Sequence, residues 1–212
     1  MDAVHDLTRT AYFRLFAADG ALGRLIHPGE TVADVGCSDG RGSEVLGRLN
    51  STGFDIYEPA LRQAVVWGRR RRAVLADVRH LPARDSAFDV VVSLDVVEHF
   101  AKSEALELIA ELERVARRLV VLLTPNGFVP QPPGEDEPWQ EHRCGFHATE
   151  LEALGYAVTG RGGPAAWRGP YGSFRGGSFG QLAAIAAAPL ANRRPTASFH
   201  LLGVKQLVRP GG

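Results

Sequence analysis

Apolar runs recur along the first two thirds of the chain, at Val32–Val35, Thr52–Tyr57, Ala73–Ala76, Phe88–Leu94 and Leu119–Leu123. This is the feature that most constrains the fold. Several of the runs are solid rather than alternating, as strands read when both faces of their sheet are covered, so a parallel sheet between layers of helix is expected. Val90-Val91-Val92 is β-branched and suits a strand. The segments between the runs carry helical periodicity. The clearest, Ser103 to Arg118, places Ala105, Leu108, Ile109, Leu112, Val115, Ala116 and Leu119 on one stripe. Ser103 is the expected N-cap, with Glu104 in the first turn and Arg117 and Arg118 at the carboxyl end. Strand and helix in alternation predict a doubly wound α/β fold.

A length of 212 residues suits one such domain. We divide it into an N-terminal helical cap over 1–29, a ligand-binding core over 30–127, and substrate-side loops with the last two strands over 128–212. In the cap, a helix near Thr8 to Ala18 carries Tyr12 and Phe13, expected to cover a site entrance. Asn126 to Trp139 holds four prolines and Glu135-Asp136-Glu137, and reads as a long loop. Thr149-Glu-Leu-Glu152 reads as a capping box opening a short helix that stops at Gly155. Tyr156–Thr159 is the expected sixth strand and Ser198–Gln206 the seventh. Between them, Gly160 to Gly180 reads as a glycine-rich loop with Trp167, Tyr171, Phe174 and Phe179 interleaved, followed by a helix from Gln181 to about Ala187 that Pro189 limits.

The first apolar run ends in Asp34-Val-Gly36-Cys37-Ser38-Asp-Gly40. Ligands of open α/β sheets bind outside the carboxyl ends of the strands, and glycines there let the backbone turn and approach a ligand. A carboxylate two places before the first glycine repels a phosphate and suits a cationic ligand. Asp55 ends the second run, about 20 residues on, where a carboxylate can accept from both hydroxyls of a ribose. The third run ends in Ala76-Asp77-Val78 with Leu81-Pro82 following, the fourth reads Phe88-Asp89-Val90 through Asp95 to Glu98-His99, and the fifth ends in Thr124-Pro125-Asn126-Gly127.

These motifs, in this order, resemble those of the class I, Rossmann-like, S-adenosylmethionine-dependent methyltransferases, of the type acting on small molecules. The resemblance is firm over Glu30 to Gly127 and looser beyond. It departs from the family's D/E-x-G-x-G-x-G pattern at Ser38, which stands for the middle glycine. It implies a seven-stranded sheet in the order 3-2-1-4-5-7-6 with the last strand antiparallel. It implies S-adenosyl-L-methionine as cofactor and S-adenosyl-L-homocysteine as product. Asp34, Gly36, Cys37, Ser38 and Gly40 would hold the methionine portion, Asp55 and Ile56 the ribose, Asp77 and Val78 the adenine, and Asp95 a further cofactor contact. Asp89, at the start of its strand, is assigned a structural role.

Methyl transfer is an in-line displacement that asks for alignment of the acceptor and, for a hydroxyl, removal of its proton. His99 is the first general-base candidate and His142, in Glu141-His142-Arg-Cys144-Gly-Phe146-His147, the second, with Glu98 orienting its neighbours. His142, Cys144 and His147 are too loosely spaced for a metal site, so no metal is expected. Arg69-Arg-Arg-Arg72 reads as a solvated loop. Formal net charge is zero, and the N/D-P-P-Y/F motif of nucleic-acid amino-methylases is absent. A small-molecule acceptor is therefore expected over nucleic acid. The resemblance, through the glutamate-histidine pair and the downstream Glu141-His142 segment, implies oxygen rather than nitrogen or carbon as the methylated atom. Two distant cysteines, an N-terminus without a signal-type apolar core and short apolar runs point to a cytoplasmic chain without stable membrane insertion. Two other readings stay open. A non-catalytic module could bind the same cofactor. A nicotinamide-dependent oxidoreductase is disfavoured because, counting from Gly36, Ser38 and Arg41 break the G-x-G-x-x-G spacing.

Overall fold

A computed structural model describes residues 18–134, 138–169 and 175–208. The expected helix with Tyr12 and Phe13, the acidic triplet Glu135–Glu137, and Tyr171 and Phe174 lie outside the described residues. The seven strands form one sheet in the order β3-β2-β1-β4-β5-β7-β6, which is the expected topology. The chain divides into two compact units, one built on residues 1–94, 111–120 and 207–212, the other on 95–110 and 121–206.

In the first unit, β1 (Thr31–Val35), β2 (Asn50–Asp55), β3 (Arg72–Leu75) and β4 (Phe88–Leu94) pair in parallel, β1 lying between β2 and β4. Val32, Ala33, Val35, Val90, Val91 and Val92 are buried, as solid apolar strands between helices require. Helices α1 (Asp19–Leu25), α2 (Glu44–Arg48) and α3 (Glu58–Val66) accompany them. Ser43 caps α2, its Oγ accepting from the Leu46 N–H at 3.2 Å and donating to Asp19 of α1. Asp89 opens β4 and accepts from the Thr31 N–H at 2.9 Å and Thr31 Oγ1 at 2.8 Å. It therefore fixes the register of β4 beside β1.

The long helix α4 (Lys102–Val115) passes without a linker into β5 (Ala116–Pro125), each supplying residues to both units. The expected helix end at Arg118 is three residues too long. Arg117 and Arg118 are strand residues: Arg118 donates to both oxygens of Glu30 at 2.6 and 2.7 Å, and Arg117 to Asp89 at 2.5 Å. Two partners fixed elsewhere in the unit outweigh the interaction of arginines with a helix dipole. Nor is Ser103 the N-cap, because the helix already includes Lys102, and Glu104 accepts from the Ala101 N–H at 3.1 Å.

In the second unit, α5 (Ala148–Ala153) is capped two residues earlier than expected. His147 is the N-cap and Glu150 reaches back to its N–H at 2.7 Å. β6 (Ala157–Pro164) and β7 (Ser198–Gln206) run antiparallel. The expected loop from Gly160 is part strand: β6 continues to Pro164, and a 3-10 turn follows at Ala165–Trp167. Helix α6 runs Gly177–Ala191 with Pro189 inside it. A proline this near the carboxyl end removes one donor without stopping the last turn, whose Ala188 carbonyl accepts from the Asn192 N–H at 2.8 Å. No helix among the described residues is long and apolar enough to cross a membrane.

Candidate active site

The turn after β1 begins as Gly36 and Cys37 both donate to the Phe54 carbonyl, at 2.8 and 3.1 Å. Gly36 and Gly40 have φ of 76° and 82°, where a side chain is strained. At Gly40 a Cβ would also lie 2.8 Å from Arg69 Cβ. Ser38, with φ 46°, adopts the same left-handed region. Its N–H donates to Asp55 Oδ2 at 2.7 Å, while Asp55 Oδ1 accepts from the Tyr57 N–H at 2.9 Å. Asp55 thus holds the irregular position of the motif in place. Each of its oxygens keeps a further lone pair, so the carboxylate can still accept from a diol. Beside it Ile56 is 55% exposed, so an apolar surface lies next to an acceptor, the combination a nucleoside asks for.

Asp34 does not face a ligand site but turns into the protein. It is 3% exposed and accepts from Arg70 Nε at 2.7 Å and from the Arg70 Nη2. Burial pushes its pKa upward and the Arg70 guanidinium opposes that. Asp34 is therefore a positioning residue whose charge is spent within the protein. It gives no argument about the charge of a ligand, and only the glycine spacing speaks against a dinucleotide. Arg70 likewise corrects the reading of the arginine run as solvated. It is among the largest fully buried side chains, and its Nη1 donates to the Arg69 carbonyl at 2.6 Å. Arg69 reaches Asp39 Oδ2 at 3.2 Å. Four identical neighbours in sequence hid which arginine turns inward. Cys37 is buried, and burial pushes its thiol well above the usual range, so it packs against the turn as a neutral group.

After β3, Asp77 binds Arg79 through Nε at 3.1 Å and Nη2 at 2.7 Å, and these bonds hold its carboxyl below the usual range. Val78 is buried and Asp77 half-exposed. In this unit the turn at 36–40, Asp55, Ile56 and Asp77 lie at the carboxyl ends of three neighbouring parallel strands. That is the edge at which open α/β sheets bind ligands.

The second unit holds a separate cluster. Asp95 sits in the left-handed region, with φ 53°, its N–H donating to the Leu123 carbonyl at 2.8 Å. Its carboxylate lies 3.6 Å from His200 Nε2 and is 46% exposed. Surrounding protein pushes its pKa up, less decisively than at Glu98 because solvent still reaches it. Glu98 is 1% exposed; burial, with the Asp95 charge adding to it, pushes its carboxyl well up. One Glu98 oxygen accepts from Thr124 Oγ1 at 3.1 Å, and Oε1 has no hydrogen-bond partner. His99 and His142 meet edge to face, ring centroids 4.9 Å apart. His99 Nδ1 lies 3.2 Å from the Glu141 carbonyl and His142 Nδ1 2.6 Å from the Val129 carbonyl. A carbonyl only accepts, so both Nδ1 atoms carry the proton and both Nε2 atoms keep a lone pair. Burial lowers the pKa of each ring, which keeps both neutral near pH 7.

The sequence placed His99 and His142 together as candidates, and the structure joins them in one cluster. It missed His200, whose pKa burial lowers to about 3. A histidine in an apolar strand carries no signal of its neighbours. His147 and Cys144 are not part of the cluster: His147 caps α5, and Cys144 donates to the Val97 carbonyl at 3.5 Å.

A Rossmann-like sheet with a glycine turn after β1 and carboxylates after β2 and β3 defines a nucleoside-binding α/β protein. Residues 33–128 match the methyltransferase domain family, and the strand order is that of the class I S-adenosylmethionine-dependent methyltransferase fold. A Mycolicibacterium smegmatis protein named as an S-adenosylmethionine-dependent methyltransferase is 33% identical over 141 residues, 61% of this chain and 50% of that protein. A human protein named as tRNA methyltransferase 9B is 33% identical over 89 residues, 42% of this chain. That match spans only 19% of the human protein's length. Among solved structures, a chain of the complex between the Haloferax volcanii Trm112 methyltransferase activator and a methyltransferase superposes with a TM-score of 0.63 at 16% identity, covering 98% of this chain and 95% of that one. At that identity the likeness is one of fold. The residues at the strand ends of the first unit fit S-adenosylmethionine, the cofactor of the class.

Proposed function

We propose that this chain transfers the methyl group of S-adenosylmethionine to an oxygen nucleophile of a small molecule. The observation that carries the reading is the neutral imidazole pair, His99 and His142, each with Nδ1 turned to a backbone carbonyl and Nε2 left as a base. The cofactor, when bound, supplies an electrophilic methyl on a sulfonium. The remaining work is the protein's. Asp55 accepts from the ribose hydroxyls, Ile56 covers the nucleoside, Asp77 and Val78 meet the adenine, and the backbone at Gly36–Ser38 receives the methionine portion. Asp34, through Arg70, keeps that turn in shape. As the acceptor oxygen attacks, its O–H bond gives up a proton to an Nε2 lone pair, the O–CH3 bond forms and the S–CH3 bond breaks. Neutral rings at pH 7 are ready for that task. Asp95, on the same unit, is a further cofactor contact in this reading.

A second reading, an RNA acceptor, is favoured by the relative named as a tRNA methyltransferase. One experiment separates the two. The protein is incubated with methyl-labelled S-adenosylmethionine and either a small-metabolite fraction or total tRNA, and the label is followed. Label in a small molecule, lost in H99A and H142A, supports the first reading; label in tRNA supports the second. Binding of S-adenosylhomocysteine with no transfer to either fraction would overturn both and leave a cofactor-binding module.

A further inference from the structure

Glu98, His99 and His142 do more than frame an acceptor. We propose that they form a binding site for a divalent transition-metal ion of the manganese-to-zinc series, held by one carboxylate and two imidazoles.

One ligand atom from each of the three residues lies within 4.8 Å of the other two. Ligation at metal–ligand distances of about 2.0–2.2 Å brings tetrahedral donors to about 3.3–3.6 Å of one another. The backbone that carries these side chains is tied together. The Glu98 carbonyl accepts from the Arg143 N–H at 2.8 Å and the Cys144 N–H at 3.2 Å. The segment bearing His142 is thereby tied to the segment bearing Glu98 and His99.

The donor chemistry is selective. Glu98 Oε1 is buried and has no hydrogen-bond partner, while the other oxygen of the same carboxylate is held by Thr124. An orphaned buried carboxylate oxygen costs stability unless something meets it. Both imidazoles have Nδ1 bonded to a carbonyl, which fixes the tautomer and leaves Nε2 as the ligating atom. Metal-binding histidines are oriented in this way. Two imidazoles and one carboxylate suit zinc, manganese or iron(II) better than the oxygen-loving magnesium or calcium. Three protein ligands also leave coordination positions open, as catalytic metal sites do. A hydroxyl bound there is acidified by the ion, so its proton leaves to solvent and the oxygen attacks the methyl. In that state the histidines ligate and the metal takes over their work as bases. This last step rests on the methyl-transfer reading; metal binding itself does not.

The test reads metal alone. Metal-free protein is titrated with Co2+, followed by its visible d–d absorption, and with Mn2+, followed by loss of the free-ion six-line electron paramagnetic resonance spectrum. One ion per chain is expected. E98Q and H142A should each weaken binding by about tenfold or more, with circular dichroism unchanged. H142A alters a half-buried side chain and decides the matter if E98Q fails to fold. Undiminished binding in H142A, or no binding by the wild-type protein, would overturn the proposal. S-adenosylhomocysteine affinity, measured by calorimetry in the presence of a chelator, should be the same in wild type and H142A. That measurement keeps a failure of cofactor binding distinct from a failure of metal binding.

Discussion

At the scale of single residues, carboxylates that look alike in sequence do opposite work. Asp34 and Asp55 both end strands. Asp34 is sealed against Arg70, and Asp55 keeps open acceptor capacity beside an exposed Ile56. Replacing Arg70 with Met leaves the Asp34 charge buried without a partner, and a broken buried pair costs about 3–5 kcal/mol. Urea denaturation of R70M should show a loss of that size; a loss under about 1 kcal/mol would mean the pair contributes little to the fold. Asp55→Ala should act on binding instead. A charge-assisted hydrogen bond contributes about 1.5–3 kcal/mol, so S-adenosylhomocysteine affinity by calorimetry should fall about tenfold to a hundredfold. Equal affinities would remove Asp55 from the cofactor site. The sequence could place both aspartates at strand ends, because that follows from the apolar runs. It could not tell them apart, because the partner that neutralises Asp34 lies 36 residues away within a run of four arginines.

At the scale of elements, the strands were legible and their margins were not. The five apolar runs located the first five strands, Tyr156–Thr159 and Ser198–Gln206 marked the last two, and the family resemblance supplied their order. The errors fall where a side chain with a distant partner overrides local preference, as at Arg117 and Arg118, or where glycines continue a strand, as in β6. The candidate site divides in the same manner. His99 and His142 were found as residues, but the orphaned Glu98 oxygen that makes them a ligand set is visible only after folding. The turn after β5 is a place where the backbone itself can be tested. Gly127 has φ 80°, and a Cβ there would lie 2.8 Å from His147 Cε1, against the residue that caps α5. Gly127→Ala should cost about 2 kcal/mol, combining a left-handed residue with a clash. Thermal denaturation measures it, and an unchanged midpoint would show that the turn gives way. Helix α6 offers the contrast. Phe179 is 82% exposed, so Phe179→Ser should stay within about 0.5 kcal/mol of wild type in the same assay. A larger loss would mean that the ring is covered in solution.

At the scale of the whole molecule, many partnered carboxylates set the response to acid. Arg79 holds Asp77, Arg114 holds Glu111, Lys102 holds Glu150 and the Thr31 backbone holds Asp89 below their ordinary values of 3.8 for aspartate and 4.5 for glutamate. A carboxyl whose folded pKa lies below its unfolded one favours folding above the unfolded value, and that contribution disappears as pH falls through the folded value. Glu98 works the other way. Its folded pKa is raised, so the contribution is present below the ordinary value and lost as pH climbs, which blunts acid unfolding without reversing it. The buried histidines add to the decline. The pKa values of His99 and His142 are lowered and that of His200 is lowered to about 3, so each favours folding above the ordinary value of 6.5 and loses that contribution as pH falls. Stability should therefore decrease from about pH 6 downward, and more steeply below about pH 5. Arg114 tests the origin of that decline. Its guanidinium donates to both Glu111 oxygens at 2.6 and 2.7 Å and to Asp85 at 2.7 Å, and it also bonds the Ala83 carbonyl at 2.9 Å. In R114M the Glu111 pKa returns toward its ordinary value, so part of the acid-sensitive contribution is gone before titration begins. Melting temperatures of R114M and wild type should differ most at pH 7 and converge toward pH 3. A constant gap across that range would assign Arg114 to its carbonyl contacts and packing instead, since neither changes charge with pH.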